Sequence, residues 1–180
     1  MNTSADAEFT DFMHGRWAQL VRLGYGLTGD QQLAEDLAQT ALAKAYASWP
    51  RVRRTGNPDA YVRRIMLNAN HSRFRKRRVA ERLTDTLPDG PRVGLTGADL
   101  RGADPIGRQD DRAVLVAALL TLPYGQRAAV VLRYWMDMTE TEAAAALGCS
   151  VGNVKSQASR ALAKLRLSEG LAEGMSHEQR

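Results

Sequence analysis

The sequence contains a single cysteine, Cys149, and only three histidines. One cysteine cannot form an internal disulfide, and Cys149 has no cysteine or histidine neighbour at the spacing of a metal site. We therefore expect no disulfide, no bound metal and no cofactor. Cys149 is interpreted as a small buried hydrophobic residue.

Long apolar runs are lacking as well. The longest, Ala113 to Leu120, is far shorter than the roughly 18 residues that a membrane-spanning helix needs. The first residues also lack the basic segment and apolar core of a secretory signal. We expect the protein to remain in the cytoplasm and to make no contact with a membrane.

Aromatic residues make up only 6% of the chain, and runs of β-branched residues are scarce, which favours helices over sheets. Apolar residues recur at three- and four-residue spacing, as in amphipathic helices, so the fold is predicted to be all-α. The predicted helices run from about Phe9 to Leu27, from Asp30 to a stop at Pro50, from Pro58 through Ala69, from Arg112 to Thr121, from Tyr124 to Tyr134, from Ala143 to Leu147, and from Ser150 to about Leu165.

A stretch rich in proline and glycine divides the chain. Between Leu83 and Asp111 there are three prolines and five glycines, a composition typical of a flexible linker. We predict two small helical domains, residues 7–82 and 111–167, joined by a flexible linker at residues 83–110. A short acidic tail is predicted at residues 168–180.

The net charge of +5 is unevenly distributed. Residues 51–82 hold eleven arginines or lysines and two acids, whereas the first fifty residues have a balance of −3. A basic stripe of this kind is typical of a protein that binds nucleic acid. A solvated basic helix face is the alternative. A membrane-surface helix is disfavoured because no Trp- or Phe-rich face opposes the charges.

A helix-turn-helix is predicted in the second domain. Thr139 and Glu142 fit a capping box at the start of the first helix. Ala144 is small enough for the helix crossing, Gly148 suits the turn, and Val154 follows at the position of a buried anchor. An ordinary two-helix packing motif is the alternative interpretation.

The outward face of the second helix is polar. Its members are Asn153, Lys155, Ser156, Ser159 and Arg160. Lysine and arginine can donate to guanine acceptors or phosphates, and hydroxyl groups can bond to either partner. This face is therefore predicted to enter the major groove of DNA.

Three stretches carry a resemblance that extends over both domains. They are GDQQLAEDLAQTALAKAY (Gly29 to Tyr46), NPDAYVRRIMLNANHSRFRKRR (Asn57 to Arg78), and LPYGQRAAVVLRYWMDMTETEAAAALGCSVGNVKSQASRALAKLR (Leu122 to Arg166). In this order they resemble an extracytoplasmic-function sigma factor of the sigma-70 family, and more narrowly the actinobacterial SigE family. The resemblance implies a protein, not itself an enzyme, that binds core RNA polymerase and directs promoter-specific transcription initiation.

The resemblance also implies roles for the first domain. Asp36, Gln39 and Thr40 stand where the family docks on a coiled coil of the polymerase's largest subunit, although relatives commonly have an acid in place of Thr40. The third helix resembles the reader of the minus-ten element. Its implied contacts are Asn68 for an extruded base, Arg63, Arg64 and Arg75 for phosphates, and Tyr61 as a stacking wedge where many relatives have tryptophan.

In the second domain, Lys155, Ser156 and Arg160 occupy the contact positions of the family's reader of the minus-thirty-five element. Gln157 stands where many relatives have arginine. The implied partners are promoter DNA and core RNA polymerase, including the flap of its second-largest subunit. An anti-sigma factor is a further partner known in the wider family, and no small-molecule substrate is implied.

Parts of the sequence are also compatible with two other classes of protein. A stand-alone repressor or activator would use the same helix-turn-helix, but it would leave the basic third helix unexplained. A nucleic-acid enzyme is disfavoured because no acidic cluster suits two-metal chemistry and no nucleophile lies beside a base. The linker acids Asp85, Asp89, Asp99 and Asp104 are compatible both with mimicry of nucleic acid and with simple solvation.

Overall fold

The described part of the computed structural model is helical, as the composition predicts. The backbone is described for residues 3–84 and 108–177, and the side chains for residues 4–76 and 112–167. The elements are α1 (Thr3–Thr28), α2 (Gln31–Ala47), α3 (Trp49–Val52), a 3-10 turn (Arg53–Thr55), α4 (Pro58–Thr84), α5 (Arg108–Leu120), α6 (Tyr124–Val130), a π-helical turn (Val131–Trp135), α7 (Glu140–Leu147) and α8 (Val151–His177). Within these ranges, no helix is long and apolar enough to cross a membrane.

The N-terminal module is built from α1 to α4. Asp30 caps α2 as predicted, with its carboxylate accepting a 2.8 Å hydrogen bond from the main-chain N–H of Leu33. The apolar faces of α1, α2 and α4 meet in a core in which Leu23 and Val62 are fully buried. This core fixes which faces of α2 and α4 are left to solvent.

The predicted end of the second helix at Pro50 is wrong. Proline was expected to stop the second helix, but α2 ends at Ala47, and Pro50 is the second residue of the separate helix α3. Proline is tolerated in a first helical turn because its missing N–H would have no partner there. The neighbouring Trp49 is buried against the rings of Phe9 and Phe12, so this short helix anchors the start of the basic region.

The C-terminal module contains the predicted helix-turn-helix, formed by α7 and α8. The capping box of Thr139 and Glu142 is present, and it starts α7 at Glu140, three residues before the predicted start. Ser150 accepts from the N–H of Asn153 and caps α8, as expected. The predicted helix over residues 124–134 is divided, because α6 passes into a π-helical turn at Val131.

The predicted linker and tail are only partly described. Helix α4 extends to Thr84 and α5 begins at Arg108, so both ends of the predicted linker are helical, while residues 85–107 lie outside the described residues. The predicted tail is helical as far as His177. The chain has no proline after Pro123 to end α8 earlier.

The two modules pack against each other. Side chains of α1 and α4 belong to the same buried cluster as side chains of α6 and the π-helical turn. This packing was not predicted from the sequence. It places the N-terminal end of the helix-turn-helix beside α4.

Candidate nucleic-acid interface

The polar face of α8 is open to solvent. Its members Asn153, Lys155, Ser156, Ser159 and Arg160 are all exposed. On the opposite side of the same turns, Val154, Ala158 and Ala161 are buried against the rest of the module. The structure therefore brings all five predicted contact residues onto one accessible helix face, the geometry that a recognition helix requires.

Local hydrogen bonds start α7, the first helix of the motif, and a glycine ends it. The main-chain N–H and the hydroxyl of Thr139 donate to the carboxylate of Glu142 at 2.8 and 2.7 Å. These bonds lower the pKa of Glu142, and the nearby charge of Arg63 adds a smaller effect. Gly148 adopts a left-handed conformation with φ of 68°, which favours glycine.

Two contacts orient side chains on the recognition face. The Nζ of Lys155 lies 3.2 Å from the carboxylate of Glu140 at the start of α7. Both groups are well exposed, so the pair adds little stability but holds the lysine near its own module. Gln157, which stands where many relatives have arginine, donates to the Oδ1 of Asn153 at 3.4 Å. Asn153 is one of the five predicted DNA-contact residues.

The predicted minus-ten residues lie along α4. Tyr61, Arg64, Asn68 and Arg75 are exposed, whereas Arg63 is half-buried. The chain enters α4 through Asn57, whose side chain accepts from the N–H of Ala60. Four of the five predicted residues are therefore directly accessible.

Arg63 is held by a charge network that sequence reasoning did not find. Its guanidinium lies 3.6 Å from one oxygen of Asp59, and the Nε of Arg16 lies 2.7 Å from the other oxygen. Asp59 is in the first turn of α4, where a negative charge is also stabilised by the helix dipole. Arg63 is thus positioned along the helix and is less free than Arg64.

The predicted polymerase-docking residues share one face of α2. Gln39 and Thr40 are exposed and Asp36 is half-buried, while Leu37 and Ala41 point into the core. Gln32 donates to the carboxylate of Asp36 at 3.5 Å. Helix α2 packs mainly on α1 and α4 of its own module and has no close packing on the C-terminal module among the described residues.

The basic helix and the helix-turn-helix approach each other closely. An ideal Cβ on Gly148 would lie 3.0 Å from a terminal nitrogen of Arg64. The imidazole of His71 stacks on the ring of Tyr124, with centroids 4.6 Å apart.

Among the described residues, no group of three or more histidine, cysteine or acidic side chains could hold a metal ion.

Two family models match the chain. Residues 16–79 match "Sigma-70 region 2", and residues 112–165 match "Sigma-70, region 4". The first match covers the second half of α1, all of α2 and α3, and α4 as far as residue 79, and the second covers α7 and α8 as far as residue 165. The two candidate DNA surfaces therefore fall in separate matched regions.

Curated relatives match over most of their length. The RNA polymerase sigma-E factor of Streptomyces antibioticus is 41% identical over 159 residues, which are 88% of this chain and 83% of that protein. The factor of the same name from Streptomyces coelicolor is 40% identical, covering 88% and 84%. The ECF RNA polymerase sigma factor EcfG of Rhodopseudomonas palustris is 31% identical, covering 77% and 72%.

Solved structures resemble the fold over both modules. The sigma factor RpoE in complex with the anti-sigma factor NepR from Bartonella quintana superposes with a TM-score of 0.66 at 28% identity, covering 88% of this chain and 94% of that one. CnrH in complex with the cytosolic domain of CnrY superposes with a TM-score of 0.61 at 21% identity, covering 92% and 90%. The second likeness concerns the fold alone.

Proposed function

This chain belongs to the sigma-70 family and is an extracytoplasmic-function sigma factor, and from that premise we propose which of its surfaces perform each step of transcription initiation. Sigma factors bind core RNA polymerase and direct it to promoters. They are transcription factors and not enzymes. We propose that this chain likewise catalyses no reaction of its own.

We assign polymerase docking to the outward face of α2. Asp36, Gln39 and Thr40 lie side by side there, with Gln39 and Thr40 exposed. The face presents one carboxylate, one amide and one hydroxyl on a helix that is rigidly packed from behind. Such a face can bind a helical partner through side-chain hydrogen bonds while the buried alanines keep its backbone fixed.

Minus-ten recognition and melting are assigned to α4. Arg63, Arg64 and Arg75 offer cations to the phosphates of a single strand, Tyr61 offers an exposed ring for stacking, and Asn68 offers an amide to an extruded base. Extruding a base costs a few kcal/mol, and bonds made only to the extruded base offset that cost. Melting is then driven by binding energy.

Minus-thirty-five recognition is assigned to α8. The single observation that carries this proposal is the common exposure of Asn153, Lys155, Ser156, Ser159 and Arg160 on the second helix of a capped helix-turn-helix. Amide, hydroxyl and cationic groups on one helix face match the donor and acceptor pattern of the major groove.

We propose that the two domains divide these roles between them. We assign polymerase docking and minus-ten recognition to residues 7–82, and minus-thirty-five recognition to residues 111–167. The protein acts in the cytoplasm, where its polymerase works. The sigma factor RpoE was solved in complex with the anti-sigma factor NepR, which supports an anti-sigma factor as a further partner of this chain.

The experiment combines the purified chain with core RNA polymerase and measures complex formation and promoter binding. We expect a stable complex that binds promoter fragments, and poor binding by the chain alone. Lys155→Ala and Arg160→Ala should weaken promoter binding and leave the polymerase complex intact, whereas Lys164→Ala, which changes another exposed lysine of α8, should change neither. Specific footprints made by the chain without polymerase would support a stand-alone repressor instead.

A further inference from the structure

One ion pair joins the recognition helix α8 to the start of α7. The Nζ of Lys155 lies 3.2 Å from a carboxylate oxygen of Glu140, the first residue of α7. The side chain of Lys155 is 60% exposed and that of Glu140 is 36% exposed. Lys155 is assigned to contact with DNA, whereas Glu140 belongs to none of the surfaces assigned above. The pair therefore connects a DNA-contact residue to an acid that has no role yet.

At the positions three and four residues away on α8, Lys155 has no charged neighbour. Residues at this spacing share a helix face and can hold one another in place. Here they are Val151, Gly152, Ala158 and Ser159. A lysine amine is carried on a flexible four-carbon stem, so without a partner it can reach many positions. Glu140, on the other helix of the motif, limits this freedom.

The ion pair lies in a groove between α8, the start of α7 and the π-helical turn. The groove has a volume of about 360 Å³, and its lining includes Arg133, Glu140, Lys155 and Arg166. Glu140 is the one acid among the described lining residues. Arg133 donates to the main-chain carbonyl of Met138, so its guanidinium has another partner. The carboxylate thus lies among three cations, and its ion pair is with the lysine of the recognition face.

Glu140 also adds a negative charge where a helix-turn-helix approaches the DNA backbone. The first helix of such a motif crosses the backbone, and a helix N-terminus ordinarily attracts a phosphate. In α7 one carboxylate is already present there, because Glu142 accepts from the main-chain N–H and the hydroxyl of Thr139. The second carboxylate, that of Glu140, repels a nearby phosphate unless the amine of Lys155 lies between them.

The ion pair contributes little to folding, but it can decide where the amine points. Exposed pairs of this kind are weak, so DNA can compete with them. An amine has three donors, and Lys155 can therefore keep Glu140 as a partner while it donates to an acceptor on a base edge. An amine that left Glu140 for a phosphate would leave the carboxylate facing the backbone without a cation. The pair therefore favours base contact over phosphate contact.

We propose that Glu140 is a positioning residue for minus-thirty-five recognition: its carboxylate holds the amine of Lys155 over the recognition face, where the amine donates to a base acceptor instead of the nearest phosphate. This inference rests on the assignment of α8 to the minus-thirty-five element. Phosphate contacts carry no sequence information, whereas base contacts do. Specificity also depends on a penalty for wrong contacts, which an unpaired carboxylate near the backbone provides.

Binding of the holoenzyme to promoter variants tests the proposal. Core RNA polymerase is combined with each chain, and affinity is measured for a promoter mapped by run-off transcription. The measurement is repeated on duplexes in which each base pair of the minus-thirty-five element is changed in turn. Glu140→Gln keeps the size of the side chain and removes its charge. We expect Glu140→Gln and Lys155→Gln to lose discrimination at the same base pair by about fivefold, the lower end for one base contact.

Asp137→Asn is the matched control. Asp137 is exposed, lies three residues before Glu140 and carries the same charge. Its φ of 54° is in the left-handed region, which asparagine tolerates, so the variant should keep the local backbone. We expect Asp137→Asn to retain discrimination at every base pair. Equal relaxation by Asp137→Asn and Glu140→Gln would overturn the proposal, because the change in net charge would then explain the effect.

The salt dependence of binding shows where the amine goes. In the Glu140→Gln holoenzyme the freed Lys155 should contact a phosphate, so the slope of log affinity against log salt should become steeper by about 0.9. In a chain that already carries Lys155→Gln, the Glu140→Gln change should alter neither the slope nor the discrimination. An unchanged slope, or a change that persists without the lysine, would contradict the proposal.

The same variants separate this inference from the assignment on which it rests. Circular dichroism at the assay temperature first confirms that each chain is folded. If Lys155→Gln retains discrimination at every base pair, Lys155 is not a base contact, and its assignment to minus-thirty-five recognition is refuted together with the inference. If Lys155→Gln relaxes one base pair and Glu140→Gln relaxes none, the assignment stands and the role of Glu140 is refuted.

Discussion

The guanidinium of Arg127 donates a 2.9 Å hydrogen bond to the main-chain carbonyl of Leu27, one hundred residues earlier in the chain. The bond joins the two modules at the C-terminal end of α1, where that carbonyl has no helical partner. A single buried side chain of the region 4 match is thereby tied to the region 2 match. The stability of the free protein therefore depends in part on a contact between the two matched regions.

Arg127→Met should destabilise the free chain. The change keeps the length of the side chain but removes the donors to three carbonyls, and lost bonds of this kind cost about 2 kcal/mol together in the free energy of unfolding. Urea denaturation followed by circular dichroism measures the loss. Arg54→Met, which removes an exposed arginine, is the control, and an equal effect of the two would show that the Arg127 bonds contribute nothing.

The capping box should make stability depend on acidity. Hydrogen bonds from Thr139 lower the pKa of Glu142 below its ordinary value of 4.5, so its ionised form favours the folded state. This contribution is complete above pH 4.5 and is lost as the pH falls through the lowered pKa. Glu142→Gln should therefore cost stability at pH 7 and progressively less in acid. Denaturation at several pH values checks this, and a difference that does not change with pH would contradict it.

Gln39→Ala should weaken binding to core RNA polymerase. The side chain lies at the centre of the α2 face assigned to docking and is exposed before binding. We expect about a tenfold loss of affinity, equivalent to about 1.4 kcal/mol. Gln31→Ala changes an exposed glutamine at the start of the same helix and serves as the control. If both variants bind polymerase like the wild type, the docking face lies elsewhere.

Asn68→Ala should impair promoter opening more than closed-complex binding. The base that Asn68 is proposed to bind becomes available only after the strands separate. Permanganate reactivity of unpaired thymines measures opening, and gel retardation at low temperature measures the closed complex. Ser72→Ala, at another exposed position of α4, should leave both unchanged. Equal losses in the two steps for Asn68→Ala would remove Asn68 from this role.

The structural features that the sequence predicts correctly are helix caps, which depend on residues only a few positions apart in the chain. Asp30, Ser150 and the pair Thr139–Glu142 cap helices through bonds that span three positions, so their spacing alone indicates the geometry. The prediction that Pro50 ends the second helix is wrong, because proline is favourable both just after one helix and in the first turn of the next.

The contacts between the modules could not be predicted in the same way. Arg127, Tyr124 and Trp135 donate to main-chain carbonyls, which every residue possesses, so no complementary side chain signals the pairing. Gly26 contributes by lacking a side chain. The exposed recognition residues were predicted because they alternate with a buried helical stripe, whereas the position of their module depends on tertiary packing.

The most direct test of the account maps where transcription begins. Core RNA polymerase combined with this chain transcribes genomic fragments, and the starts are compared with those made by core polymerase alone. We predict discrete new starts, preceded by two shared sequence elements near positions minus ten and minus thirty-five. Starts that are scattered, or identical with and without the chain, would contradict the central claim that this protein directs promoter-specific initiation.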